Sequence, residues 1–156
     1  MRVTVHSVAG KMPRWVEEGV AEYSKRLPRE LALQWREVSL ATRSRGAPAA
    51  VLRDREGAAL LKSVAPDDHC VALDGGGKPW ATADLADQLR YWQMEGRPLS
   101  LLIGGPDGLS SEVLDKAKQR WSLGPLTLPH PLVRVLLVEQ LYRAWTITIG
   151  HPYHRA

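Results

Sequence analysis

The sequence predicts an α/β domain built on a largely parallel sheet, and three observations carry that prediction. Short apolar runs of strand length alternate with amphipathic stretches of helical spacing along the chain. The run LSLLI at 99–103 is continuously apolar, as a strand buried on both faces should be. The 156 residues show no internal repeat, low-complexity tract or linker, so residues 1–156 are expected to form a single domain with a substantial core.

Residues 2–8, RVTVHSV, alternate Val3, Val5 and Ser7 against Thr4, His6 and Val8 and read as the first strand, ended by Ala9-Gly10. Pro13 suits the first turn of a helix in which Trp15, Val16, Val20, Tyr23 and Leu27 recur at helical spacing up to Pro28. LALQWREVSL (31–40) is a second strand, with Leu31, Leu33 and Trp35 on one face, and ATRSRGAP (41–48) is a polar, basic connection. AAVLRDREGAALLKSV (49–64) has helical periodicity that Gly57 weakens. After a turn at Pro66-Asp67-Asp68, HCVALD (69–74) is a third strand, and Asp74 to Pro79 reads as a loop. Thr82 is placed to cap a helix carrying Leu85, Leu89 and Trp92, closed by Gly96. Beyond LSLLI and GGPDG (104–108), a helix opens near Ser110 and runs to about Arg120. SLGPLTLP (122–129) reads as strand-like, interrupted by Gly124-Pro125. Pro131 starts the last helix, with Leu132, Leu136, Leu137 and Leu141 on its apolar face, running to about Thr148 before Gly150 and the tail HPYHRA.

Composition narrows the function. Hydrophobic content of 44% and charged content of 24% are ordinary for a globular protein and argue against overall disorder. No apolar run approaches the roughly 18 residues that span a bilayer, and the first residues lack a signal peptide's apolar centre. The single cysteine, Cys70, cannot form an internal disulfide and reads as a buried strand thiol, so a reducing, cytoplasmic setting is expected. The net charge of +4 is unevenly spread: residues 1–63 hold 12 Lys+Arg against 7 Asp+Glu, and residues 64–156 hold 9 against 10. Arg26, Arg29, Arg36, Arg43, Arg45, Arg53 and Arg55 form a basic stretch suited to phosphate. The other reading of those arginines is a solvated face paired locally with Glu30, Glu37, Asp54 and Glu56. Of the six tryptophans, Trp15, Trp35, Trp92 and Trp145 sit at amphipathic positions and are expected in the core. Trp80 and Trp121, beside glycine-bearing loops, are candidates for a pocket wall.

Ligands of open α/β sheets bind at the carboxyl ends of the strands. Three glycine- or proline-bearing segments are expected there: Leu73-Asp74-Gly75, Gly104-Gly105-Pro106-Asp107-Gly108, and Leu123-Gly124-Pro125-Leu126. They match no familiar nucleotide fingerprint. Gly-Gly-Gly-Lys78 is followed by Pro79 rather than Ser or Thr, and GGPDG is not G-x-G-x-x-G. Three of the five histidines, His130, His151 and His154, lie near the C-terminus, but no H-E-x-x-H, second cysteine or carboxylate cluster accompanies them, so no metal is expected. Tyr153, His154 and Arg155 could instead supply a proton acceptor and an anion clamp, or form a frayed end.

SLLIGGPDGLS (100–110), WSLGPLTLPHPLVRVLLVEQLYRAW (121–145) and HPYHR (151–155) resemble the bacterial ribosomal RNA large-subunit methyltransferase H family, SPOUT-class enzymes. GKMPRWV (10–16), EYSKRLP (22–28) and DGGGKPW (74–80) fit the same family, so the likeness covers nearly the whole chain. The resemblance implies an α/β fold with a C-terminal trefoil knot, a homodimer, and S-adenosylmethionine as cofactor. The implied substrate is N3 of a pseudouridine in helix 69 of 23S rRNA, methylated on assembled ribosomes. The cofactor-binding residues it implies are Leu73, Gly104 and the run Leu123, Gly124, Pro125, Leu126, Thr127 and Leu128. Part of the last helix, from Leu132 and Val133, is then expected to line the dimer interface, and the tail to reach the site of methyl transfer, from one subunit or the other. His154 is the candidate base or a group that orients it, Tyr153 holds or stacks the nucleobase, and Arg155 binds phosphate or steadies imide charge. Two rival readings stay open at this point. One is a non-catalytic RNA-binding or ribosome-assembly module; the other is a SPOUT enzyme acting on a different rRNA or tRNA nucleotide.

Overall fold

The computed structural model describes residues 1–43 and 46–155; Arg45 of the basic connection lies outside them. The elements run β1 (Val3–Val8), α1 (Arg14–Ser24), β2 (Leu33–Val38), α2 (Ala49–Ser63), β3 (His69–Pro79), α3 (Thr82–Glu95), β4 (Leu99–Ile103), α4 (Ser111–Lys116), β5 (Gln119–Ser122) and α5 (His130–Ile149). Short 3-10 turns occupy Arg29–Leu31 and Pro152–His154. All five strands pair in parallel, in the order β2-β1-β4-β3-β5. The predicted α/β class and parallel sheet are therefore present.

Strands β1 and β4 are buried along their whole length because helices cover both faces of the sheet. On one face Val5, Val71, Leu99 and Leu101 pack with Leu85, Leu89 and Trp92 of α3 and Leu137 and Leu141 of α5. On the other, Val8, Cys70, Ala72 and Leu102 pack with Leu60 of α2 and Val113 of α4. Gly57 does not interrupt α2. It lets α4 approach, since a Cβ there would lie 2.2 Å from the Ser110 hydroxyl oxygen. Cys70 is buried, and burial with the nearby Asp68 charge pushes its thiol up to about 11, leaving it inert.

One polar chain crosses this interior. The His6 ring bonds Ser63 Oγ through Nδ1 (2.7 Å) and Ser100 Oγ through Nε2 (2.9 Å), and Ser100 donates to Asp68 (2.7 Å). Burial, reinforced by the Arg36 charge, lowers the pKa of His6 to about 4.

Several local expectations give way to tertiary contacts. The segment from Asp74 to Pro79, read as a loop, continues β3. A Cβ at Gly77 would lie 2.6 Å from the Arg120 carbonyl carbon, so glycine lets the β3 and β5 backbones come together, with a register shift between Leu73 and Lys78. The helix expected to reach Arg120 stops at Lys116. Ala117 turns extended (ψ 137°) and the Lys118 N–H donates to the Cys70 carbonyl (2.8 Å), drawing Gln119–Ser122 into β5. The strand expected over 122–129 is therefore displaced toward the N-terminus, and 123–129 form an irregular loop. Thr82 is not the cap of α3: its hydroxyl donates to Gln140 (2.7 Å), while Asp84 accepts from the Ala81 N–H (2.9 Å). Trp15 is 52% exposed rather than in the core, because Val16 is the fully buried side chain of α1. Trp92 is fully buried, and Trp35 and Trp145 are half-buried.

Candidate active site

Parallel strands end together, so the chain segments leaving them gather on one edge of the sheet. There the ends of β1, β4 and β5, with Leu73–Gly75 of β3 where that strand passes the last residue of β4, surround a cavity of about 770 Å3. Its size falls in the range of small-molecule sites, and its wall is mostly apolar. Leu73, Gly104 and all six residues Leu123, Gly124, Pro125, Leu126, Thr127 and Leu128 border it. The sequence separates these segments by 31 and 19 residues; the sheet order brings them together.

Each segment is shaped by local chemistry. A Cβ at Gly104 would lie 2.7 Å from the Gly108 carbonyl carbon and oxygen, so the Gly104–Gly108 turn closes only on a glycine. The Gly108 N–H closes the same turn on the Gly105 carbonyl at 3.0 Å. Gly124 has φ 121°, a conformation that disfavours any side chain, and its N–H donates to Ser122 Oγ at 3.2 Å. Trp121 is fully buried on the cavity wall, as its position suggested. Trp80 is not on that wall but stacks on Trp121 from behind, with ring centroids 5.3 Å apart.

A polar cluster that reaches the cavity rim through His130, while its Glu37 and Arg134 line a neighbouring cavity, was not foreseen. His130, the first residue of α5, borders the cavity, and its Nε2 accepts from Arg134 Nε at 2.9 Å. Ser7 Oγ stands 3.1 Å from the same nitrogen and accepts from Arg134 Nη2 at 2.9 Å. Arg134 also grips Glu37 with both terminal nitrogens, at 2.6 and 2.7 Å. An arginine can only donate, so His130 Nε2 must be unprotonated and the ring proton sits on Nδ1. Burial and the Arg134 charge lower the His130 pKa, which keeps the ring neutral. Sequence reading considered His130 only as a metal ligand. The overlooked signal is an arginine one helical turn on, inside the otherwise apolar run from Pro131 to Val138.

The tail lies elsewhere. The Tyr153 ring packs 4.5 Å from that of Tyr142, its hydroxyl donates to Glu139 (3.2 Å), and the Arg143 guanidinium sits 5.0 Å from the ring. Burial and the Glu139 charge raise the Tyr153 pKa. His154 is half-buried with no hydrogen-bond partner at Nδ1 among the described residues, and Arg155 is exposed. None of the three borders the cavity of its own chain. The basic stretch is partly committed as well, with Arg26 paired to Glu22 and Arg43 to Glu56 and Asp107.

Among the described residues, no group of three or more His, Cys, Asp or Glu is placed to hold a metal ion. No helix there is long and apolar enough to cross a membrane.

Comparison with known proteins bears on this site. The sequence model of a family described as predicted SPOUT methyltransferase matches residues 1–154. A protein of Hahella chejuensis named ribosomal RNA large subunit methyltransferase H is 54% identical over 155 residues, covering 99% of each chain. Proteins of the same name from Pseudomonas putida (strain W619) and Ectopseudomonas mendocina are 52% and 53% identical, over 99% of this chain and all of theirs. Those matches span every segment that walls the cavity. The chain belongs to the SPOUT methyltransferase family, alongside relatives named ribosomal RNA large subunit methyltransferase H.

Proposed function

We propose that this protein is an S-adenosylmethionine-dependent methyltransferase of 23S rRNA, acting in the cytoplasm on N3 of a pseudouridine in helix 69 of assembled ribosomes. The observation that carries the reading is the cavity of about 770 Å3 walled by Leu73, Gly104 and residues 123–128. Its mostly apolar lining and glycine-shaped walls suit a nucleoside carrying a sulfonium, and no lysine or arginine stands among the lining residues to oppose that charge. The names of the full-length relatives support ribosomal RNA as the substrate class.

Leu73, Gly104 and the run from Leu123 to Leu128 would hold the cofactor. When bound, S-adenosylmethionine supplies a methyl group activated by its sulfonium. The protein's remaining tasks are to align the base, exclude water and remove the N3 proton. His154 takes that proton, Tyr153 holds the nucleobase, and Arg155 neutralises charge on the imide or a flanking phosphate. The target base must leave its stack to meet the cavity, which favours an accessible loop of RNA.

Tyr153, His154 and Arg155 stand away from the cavity of their own chain, so the reading includes a homodimer in which one subunit's tail completes the other's site. A trefoil knot in the C-terminal half belongs to the same reading.

Calorimetric titration with S-adenosylmethionine tests the cofactor: saturable heat is expected, abolished by Gly104→Ala. No heat with the wild-type protein leaves a non-catalytic RNA-binding module in its place. Complementation tests the shared site. Gly104→Ala and His154→Ala are each expected to be inactive as homodimers. Mixing them should restore activity, since one site of the mixed dimer then has both an intact cavity and an intact tail. No recovery, with subunit exchange verified, would put cavity and tail in the same chain.

A further inference from the structure

The carboxylate of Glu56, on α2, is buried to 2% exposure, so its charge must be met by partners inside the protein. Its charge is met from one direction, by the connection between β2 and α2. Glu56 accepts from the Ala41 N–H (3.0 Å) and from Arg43 Nη1 (3.0 Å), and Arg43 also donates to the Ala41 carbonyl (2.9 Å). The other terminal nitrogen of Arg43 reaches out to Asp107 at 3.0 Å. Glu56 also sits directly against the loop after β4, since a Cβ on Gly105 would lie 3.0 Å from its carboxylate oxygen.

Within that loop the division is sharp. Gly104, Gly105, Pro106 and Gly108 border the cavity, whereas Asp107 does not and is the loop's anchor to Arg43. A turn built on three glycines has little stiffness of its own. Its position must come from what it is tied to, and Arg43 provides a planar fork that can hold two carboxylates at once.

We infer that Arg43 is a positioning residue: it latches the Gly104–Gly108 wall of the cavity to α2 through Glu56 and Asp107, and so presets that wall for its ligand. The inference deepens the cofactor reading above and rests on it. It also reassigns Arg43 from the RNA-binding face. A guanidinium held between two carboxylates has already spent its charge, so ordinary phosphate contact falls to other basic residues.

Asp107→Ala is the cleaner perturbation, because it frees the loop while leaving Glu56 paired; Arg43→Gln cuts both links. Without ligand, amide hydrogen exchange at Gly104–Gly108 is expected to quicken about fivefold in both variants, the scale of one partly exposed ion pair. The Kd and KM for S-adenosylmethionine should rise by a similar factor, with kcat changing less. Asp107→Glu, which keeps the carboxylate, should restore exchange and KM toward wild type. The salt dependence of ribosome binding should be the same for Arg43→Gln and wild type.

The outcomes separate cleanly. No heat from S-adenosylmethionine with the wild-type protein overturns the cofactor reading, and with it the purpose assigned to the latch. Wild-type binding intact but exchange at Gly104–Gly108 unmoved by Asp107→Ala overturns the latch alone. A salt slope lowered by about one unit in Arg43→Gln makes Arg43 a phosphate contact and also overturns it.

Discussion

The rim cluster of Ser7, Glu37, His130 and Arg134 makes an asymmetric prediction. Arg134 and Glu37 form one ion pair, yet their side chains are 7% and 48% exposed. Removing the buried partner and removing the wet one should therefore cost different amounts. In Arg134→Met, Glu37 is rehydrated where it stands, the Ser7 hydroxyl can turn to His130, and an apolar chain fills the space. The expected loss is about 1–2 kcal/mol, near that of one imperfectly satisfied buried polar group. In Glu37→Leu, the guanidinium stays buried with only Ser7 and His130 as acceptors. An uncompensated buried charge costs about 3–5 kcal/mol, so this variant should be the less stable by about 2 kcal/mol.

His130 provides a second readout with opposite signs. The Arg134 charge lowers its pKa and the Glu37 charge raises it. Arg134→Met should therefore raise the His130 pKa toward its ordinary value, and Glu37→Leu should lower it further. Urea melts with matched slopes measure the first quantity, and NMR titration of the imidazole measures the second. Equal losses would refute the burial argument, and shifts of His130 in the same direction would refute the opposing charges assigned to Arg134 and Glu37.

Two further predictions concern the fold. Gly57→Ala should destabilise by about 1–3 kcal/mol despite the higher helix propensity of alanine, because the new methyl meets Ser110, the cap of α4; adding Ser110→Gly should recover most of the loss in thermal melts. His6, whose folded pKa of about 4 lies below its ordinary value of 6.5, ties stability to pH. Between those values the unfolded chain binds a proton that the folded chain refuses, so stability is full above pH 6.5 and falls as pH drops toward 4. The loss is about 3 kcal/mol, flattening below pH 4. His130, lowered as well, adds to the same slope. His6→Gln should remove about one proton from it in urea melts taken across pH, and an unchanged slope would exclude His6 as a source.

Much of the architecture could be read from the chain because its signals are local. LSLLI is apolar at every position and is β4, buried on both faces. Pro13 precedes α1, and Gly96 and Gly150 close α3 and α5 in left-handed conformations. Misreadings arose where a partner distant in sequence decides. Glycines 75–77 look like a loop until Arg120 lies against Gly77, and Lys118 looks helical until Cys70 captures its N–H. The cavity wall was legible because β4 and β5 run parallel and stop on one edge, which gathers Gly104 and residues 123–128 beside Leu73, level with the last residue of β4. The rim cluster was not, since it joins Ser7, Glu37 and Arg134 across as many as 127 residues. The sequence leaves Arg43 open to phosphate contact or to local pairing with Glu56, and hides its second partner, Asp107, 64 residues away.

The central claim is that this chain methylates a ribosomal RNA base. Its most direct test is incubation of the purified protein and labelled S-adenosylmethionine with ribosomes that lack the modification, followed by mapping of the labelled nucleotide. The account predicts one labelled position, N3 of a pseudouridine in helix 69 of 23S rRNA, with label lost in Gly104→Ala. Label on another nucleotide or on ribose would contradict the assigned target, and no label despite cofactor binding would contradict the claim itself.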